Sequence, residues 1–340
     1  MITVKKEGVI LRPSNLVFEN EGVLNPAVIK DGNNVHLFYR AVSKGNLSSI
    51  GYCELDGPLT VAERLSNPLL YPEFDFEKHG MEDPRIVKIA DTYYMCYVAF
   101  DGTDALGSVA ISTDLKNFEK QGIIVPQLKY SDFDDLAKSN AGIIERYRKD
   151  YNAPDNIVMD KDVMFYPRRI NNKLAFLHRI KPDIQLVMVD DLGDLTFDFW
   201  ESYISNLEEN ILLKPNYLHE ISYVGGGCPP VETEAGWLII YHGVQDVGTG
   251  YLYSACAALF ELDDPLKEIA RLPYPLFKPD QPYELAGDVD NVCFPTGTAL
   301  FNDTLYIYYG AGDEVIACAS VSLSALVEEL LTHTTPQSIA

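Results

Sequence analysis

Arg40, Asp101, Arg179, His242 and Asp313 stand near the ends of strand-like segments and could do chemistry together. Two carboxylates facing several basic groups suit the breaking of a glycosidic bond. A carboxylic acid can protonate a leaving oxygen, and nearby negative charge suits an oxocarbenium-like transition state. The basic groups suit an anionic co-substrate, because a guanidinium offers an oxyanion a planar, two-pronged contact. A ring of solvated loop charges is the plain alternative, since exposed charges are common.

An internal repeat must position these residues. Its pattern is Pro, a short apolar run, a polar turn, then an alternating strand ending in Tyr or His. The copies start at Asn25-Pro26, Asp83-Pro84, Tyr166-Pro167, Pro229-Pro230 and Phe294-Pro295. Their second strands contain Leu37–Arg40, Met95–Asp101, Ala175–Arg179, Leu238–His242 and Leu305–Tyr309. Each copy reads as a hairpin bounded by turn residues. A further strand rich in Ala, Val, Ile or Cys follows most copies, as in Tyr253–Leu262. The spacing of roughly 60 to 80 residues is slightly long for a four-stranded propeller blade. The expected fold is all-β: a single five-bladed β-propeller over residues 1–340. A helical insertion at 131–151, capped by Ser131, would fall between blades two and three. A short helix at 324–331 would follow the last strand. Equivalent strand ends in such a ring converge on one central pit.

The formal net charge of -23 disfavours nucleic acid and anionic membranes as partners. An anionic substrate would therefore need a local basic cluster. The six cysteines are scattered without a CxxC pair and read as buried free thiols, which fits a reducing, cytoplasmic setting. The start of the chain lacks the apolar run of a signal peptide. No His/Cys spacing suits zinc and no acidic spacing suits calcium, so no metal is expected. The sequence leaves room for a homo-oligomer.

Several motifs, in order, resemble those of glycoside hydrolase family 130, the mannoside phosphorylases and related β-mannosidases. They are Glu82-Asp83-Pro84-Arg85, Ala99-Phe100-Asp101-Gly102, Lys161-Asp162, Leu177-His178-Arg179, Gly225-Gly226-Gly227-Cys228-Pro229-Pro230, Trp237–Gly243 and Tyr308–Asp313. The resemblance covers nearly the whole chain. It implies a five-bladed propeller and an inverting mechanism with inorganic phosphate as co-substrate and no cofactor. It implies that Asp101 is the proton donor, acting through a sugar hydroxyl. Asn25, Arg40, Asp83 and Asp313 match residues that hold the mannose of a β-linked manno-oligosaccharide or mannosyl-sugar. Lys161, Arg179, His242 and Tyr253 match a phosphate cluster.

Other readings of these residues stay open. Asp101 before Gly102 and Asp83 before Pro84 also fit turns, and Tyr253 also fits strand packing. Two departures bear on the phosphate step: Lys161 stands where several family phosphorylases carry Arg, and Tyr223 where Lys is expected. An inverting β-mannosidase, with water activated by a carboxylate such as Glu220, is the second reading. A sugar-binding propeller without catalysis is the third.

Overall fold

A computed structural model describes residues 2–137, 146–147 and 155–334. Alternating apolar residues and short polar turns build antiparallel meanders, each a run of neighbouring strands joined by hairpins. The first comprises β2 (Gly22–Asp31), β3 (Asn34–Ser43), β4 (Leu47–Asp56) and β5 (Thr60–Arg64). A single parallel bridge, Ser48 to Gly80, joins it to β6 (Gly80–Ile89), β7 (Thr92–Phe100), β8 (Ala105–Ser112) and β9 (Glu119–Ile123). The third contains β10 (Lys161–Phe165), β11 (Leu174–Arg179), β12 (Ile184–Val189) and β13 (Ile211–Leu213). The fourth holds β14 (Tyr223–Gly226), β15 (Val231–Thr233), β16 (Gly236–Asp246), β17 (Tyr251–Phe260) and β18 (Glu268–Arg271). In the last, β19 (Cys293–Phe301), β20 (Thr304–Ala311) and β21 (Val315–Ser322) are completed by the N-terminal strand β1 (Lys5–Leu11).

Burial is concentrated between neighbouring meanders. Phe38 and Ile50 of the first pack with Met81 and Met95 of the second, and Val109 of the second with Phe165 and Phe176 of the third. Further along, Leu177 meets Trp237, and Leu238 and Ile240 meet Ile307. Leu37 and Val28 of the first meander meet Tyr308 and Ile316 of the last. The first strands lie side by side, β2 against β6 and β19, β6 against β10, and β10 against β14. The molecule is thus all-β and propeller-like. All six cysteines are buried and free, as expected.

A device absent from the sequence reading recurs in these meanders. A short turn before the first strand carries a buried Glu whose carboxylate takes a Tyr hydroxyl from the middle of the sheet and a cation from its outermost strand. Glu19 meets Tyr39 at 2.7 Å and Arg64 at 2.9 Å; Glu77 meets Tyr97 at 2.6 Å and Lys120 at 2.8 Å. Glu220 meets Tyr241 at 2.6 Å and Arg271 at 3.0 Å; Glu284 meets Tyr309 at 2.6 Å and also Lys6. Each clasp ties the incoming loop across its sheet with charge-assisted hydrogen bonds. Replacing Tyr241 by Phe removes a donor to Glu220 and an acceptor for Arg271 Nε, so urea unfolding is expected to show a loss of about 1.5–3 kcal/mol.

The third repeat copy is out of register with expectation. Its first strand is β10, and Tyr166-Pro167 lies in the loop after it. The insertion begins as a helix at Tyr130–Leu136. Its N-cap is Lys129, with no side-chain cap bond, so Ser131 does not cap it. Most of the expected helix beyond residue 137 lies outside the described residues. The C-terminal helix is Leu323–Leu331, capped by Ser322 through the backbone N–H of Ala325.

Candidate active site

The local backbone explains how three of the site residues are aimed. Strands β2, β6 and β10 each break register where Asn25, Asp83 and Asp162 stand, with φ of 50°, 48° and 56°. Asn and Asp tolerate this left-handed conformation better than other side chains, and a bulge re-aims the residue it carries. All three point into one cavity of about 460 Å³.

The second strands supply the basic side chains. Arg40 follows Tyr39, Arg179 follows His178 and His242 follows Tyr241, so they share one step of the repeat. The corresponding residues elsewhere are Val98 and Gly310, whereas Asp101 and Asp313 lie in turns just past β7 and β20. The expected ring of equivalent strand ends is therefore three basic positions plus two turn carboxylates. Lys161, at the start of β10, and Tyr253, on β17, complete the set. Asn25, Arg40, Asp83, Asp313, Lys161, Arg179, His242 and Tyr253 all line the same cavity.

One wall is acidic. Arg40 pairs with Glu82 at 2.7 Å and Asp83 at 3.6 Å, and Asn25 Nδ2 donates to Asp83 at 2.7 Å. Burial pushes the Asp313 carboxyl up to about 6; Arg40 opposes this, and Asp83, Asp288 and Glu82 add to it. Such a wall offers acceptors to sugar hydroxyls. It also has a thermodynamic signature. A carboxyl raised in the folded state binds more protons there, so its contribution to stability falls as pH rises from the ordinary Asp range through 6. Asp313→Asn, tolerated at φ 53°, is expected to raise the thermal midpoint at pH 7.5 and to lose that advantage near pH 4. Melting curves at the two pH values check this.

The opposite wall is basic and was only partly legible. Asp162 is buried at its centre, 2.5 Å from Arg179 Nε and 3.2 Å from Arg85 Nη2, with His242 Nε2 at 3.8 Å. Burial alone would raise its pKa, but Arg179, Arg85, His242 and Lys161 hold it down to about 2. Burial, helped by Arg179 and Arg85 against the pull of Asp162, lowers His242 to about 3, so its ring is neutral. Neither of its ring nitrogens has a hydrogen-bond partner among the described residues. Arg85 is fully engaged, donating to the carbonyls of Asp83, Gly226 and Gly227. The glycine run is explained here: a Cβ on Gly225 would collide with the His242 ring and the Asp162 carboxylate. Asp162, Arg85 and Glu82 lie inside the motifs that carry the family resemblance, and their pairing is visible only in the structure.

Asp101 stands differently from expectation. Its Oδ1 accepts the backbone N–H groups of Thr103 and Asp104, both at 2.8 Å, so the turn reading of Asp101-Gly102 is also correct. Burial, the largest single influence, raises its pKa, but these two donors together with the charges of Lys78 and His79 hold the carboxyl below the ordinary range. Thr103 and Asp104 line the cavity while Asp101 is set back from it. Asp104 is raised, by burial and by the charge of Asp101.

Glu220 does not serve as a water-activating carboxylate at this cavity. It is fully buried in the clasp with Tyr241 and Arg271 and is not among the lining residues. His219, Glu220 and Cys256 approach one another within 4.8 Å, but Arg271 already neutralises that carboxylate.

Comparison with known proteins follows the same lines. The model of glycoside hydrolase family 130, described as beta-1,4-mannooligosaccharide phosphorylase, matches residues 5–332. The chain is 31% identical over 337 residues to a 1,2-beta-oligomannan phosphorylase of Thermoanaerobacter sp. (strain X514), spanning 95% of this chain and 98% of that protein. It is 33% identical over 320 residues to a beta-1,2-mannobiose phosphorylase of the same organism, with 89% and 91% covered. The solved structure of beta-1,2-mannobiose phosphorylase from Listeria innocua, bound to beta-1,2-mannobiose, matches with a TM-score of 0.75 at 24% identity, covering 98% of this chain and 100% of that one. This last likeness is one of fold.

Proposed function

The chain belongs to glycoside hydrolase family 130, and from that premise we propose that it is an inverting β-mannoside phosphorylase. The observation that carries this reading is the pairing of an acidic wall and a basic wall in one cavity. Asn25, Arg40, Asp83 and Asp313 hold the mannose. Lys161, Arg179, His242 and Tyr253 hold inorganic phosphate beside its anomeric carbon. The meanders are read as five blades around one axis, with the insertion after the second, because an apolar cluster lies between each neighbouring pair, including the last and the first.

In the proposed reaction a phosphate oxygen forms a bond to the anomeric carbon as the glycosidic C–O bond breaks. The electron pair leaves with the acceptor oxygen, which takes up a proton. Asp101 supplies that proton through a mannose hydroxyl, a relay that suits a carboxyl set back from the cavity. Arg179 offers phosphate a fork, Lys161 a point charge, and neutral His242 and Tyr253 uncharged donors. These cations provide the local field that the -23 surface lacks. The engagement of Glu220 elsewhere disfavours hydrolysis by that residue.

The β-1,2 linkage is the first substrate to test, because the two Thermoanaerobacter relatives are named for it. Incubation with β-1,2-mannobiose and phosphate is expected to give mannose and α-mannose 1-phosphate, read by proton and phosphorus NMR. A β-anomer would overturn inversion. Turnover of β-1,4-mannobiose alone would move the linkage and leave the reaction type standing.

A further inference from the structure

The basic wall contains one more cation that none of the assignments above uses. Lys181 lies two residues beyond Arg179, just past the end of β11, and lines the same cavity. Here both heads meet one ring: Lys181 Nζ lies 4.2 Å from the centroid of Tyr223, and Arg179 Cζ lies 5.3 Å from it. The Tyr223 ring is itself fixed, because its hydroxyl bonds that of Tyr253 at 2.6 Å and the residue is buried.

We propose that Lys181 is an anion-binding residue of the phosphate subsite and that Tyr223 is its positioning residue. The assignment rests on the phosphorolysis reading above. Two like charges on neighbouring side chains would repel. The face of an aromatic ring attracts both and gives each a defined place. The wall is net positive: Asp162 contributes one negative charge against Arg85 and Arg179, and Lys161 and Lys181 line the same cavity. The Tyr223–Tyr253 hydrogen bond links the ring under Lys181 to a residue already placed in the phosphate cluster.

The test uses the full chain with β-1,2-mannobiose and inorganic phosphate, varying each separately, together with calorimetric titration of phosphate alone. Lys181→Met is expected to raise the KM and Kd for phosphate about tenfold to a hundredfold, the range for losing one charge-assisted contact. The KM for the mannoside should stay within about twofold. Lys181→Arg should recover most of the phosphate affinity. Tyr223→Leu should weaken phosphate more than Tyr223→Phe, which keeps the ring. If Lys181→Met does not fold, Lys181→Gln provides the same reading. Unchanged phosphate binding in a variant of a phosphate-dependent enzyme overturns the Lys181 assignment and leaves the reaction intact. A raised mannoside KM with unchanged phosphate KM overturns it too and moves Lys181 to the sugar. Wild-type cleavage that ignores phosphate, with no phosphate binding, overturns the reaction and the assignment together.

Discussion

Asp101→Asn is expected to lower kcat by about 10²- to 10⁴-fold, the usual worth of a positioned general acid. The fold should survive, and the reason lies in the turn. Asp101 Oδ1 accepts two backbone N–H groups, and an Asn amide oxygen can accept the same pair. What Asn cannot do is release a proton. Thermal unfolding of the variant should therefore match the wild type to within about 0.5 kcal/mol while turnover collapses. The lowered pKa of Asp101 sharpens the expectation. In the free protein the carboxyl is ionised at neutral pH, so in the proposed mechanism its proton is drawn in once the sugar is bound, not stored beforehand. Asp104→Asn is the control, since Asp104 lines the cavity and has a raised pKa. If Asp101→Asn keeps activity within tenfold and Asp104→Asn loses it, the proton comes from Asp104.

The second large effect concerns stability. Asp162→Asn is expected to cost about 3–5 kcal/mol in urea unfolding, because it removes one partner of a buried charge network. Arg85 is 1% exposed and cannot find water to replace the carboxylate, and Arg179, 8% exposed, reaches water only through the cavity. The substitution is nearly isosteric and Asn tolerates φ 56°, so backbone strain adds little. Activity should fall as well, with the phosphate KM rising, because Arg179 loses the group that orients it. A loss below about 1 kcal/mol would mean that Asp162 does not anchor the basic wall.

Eight of the residues named from the repeat and the resemblance line one cavity, and Asp101 stands back from it. Asn25 and Asp83 were legible because each precedes Pro in a repeated motif, and Arg40, Arg179 and His242 because each ends an alternating run. The role of Asp162 is hidden in the sequence because Val163, not Pro, follows it. The third copy was instead aligned on Tyr166-Pro167, four residues too late. Its left-handed bulge aligns it with Asn25 and Asp83, and that geometry is invisible in a sequence. The partners of Asp162 lie 77 and 17 residues away, so pairing could not be read locally. The clasps escaped for the same reason, although Glu19, Glu77 and Glu220 each stand three residues before a first strand, a spacing the sequence does contain. Without the clasp, Glu220 looked available for water activation. The cap of the insertion helix lies two residues before the expected one, because Ser131 satisfies a capping rule that Lys129 does not.

In the proposed reaction one cavity holds a mannoside and a phosphate together. Initial rates of β-1,2-mannobiose cleavage, measured over a phosphate series and extrapolated to zero phosphate, test it most directly. The expected curve saturates at high phosphate and passes through zero at none, with mannose 1-phosphate formed in step with cleavage. A finite rate at zero phosphate, releasing only free mannose, would contradict it.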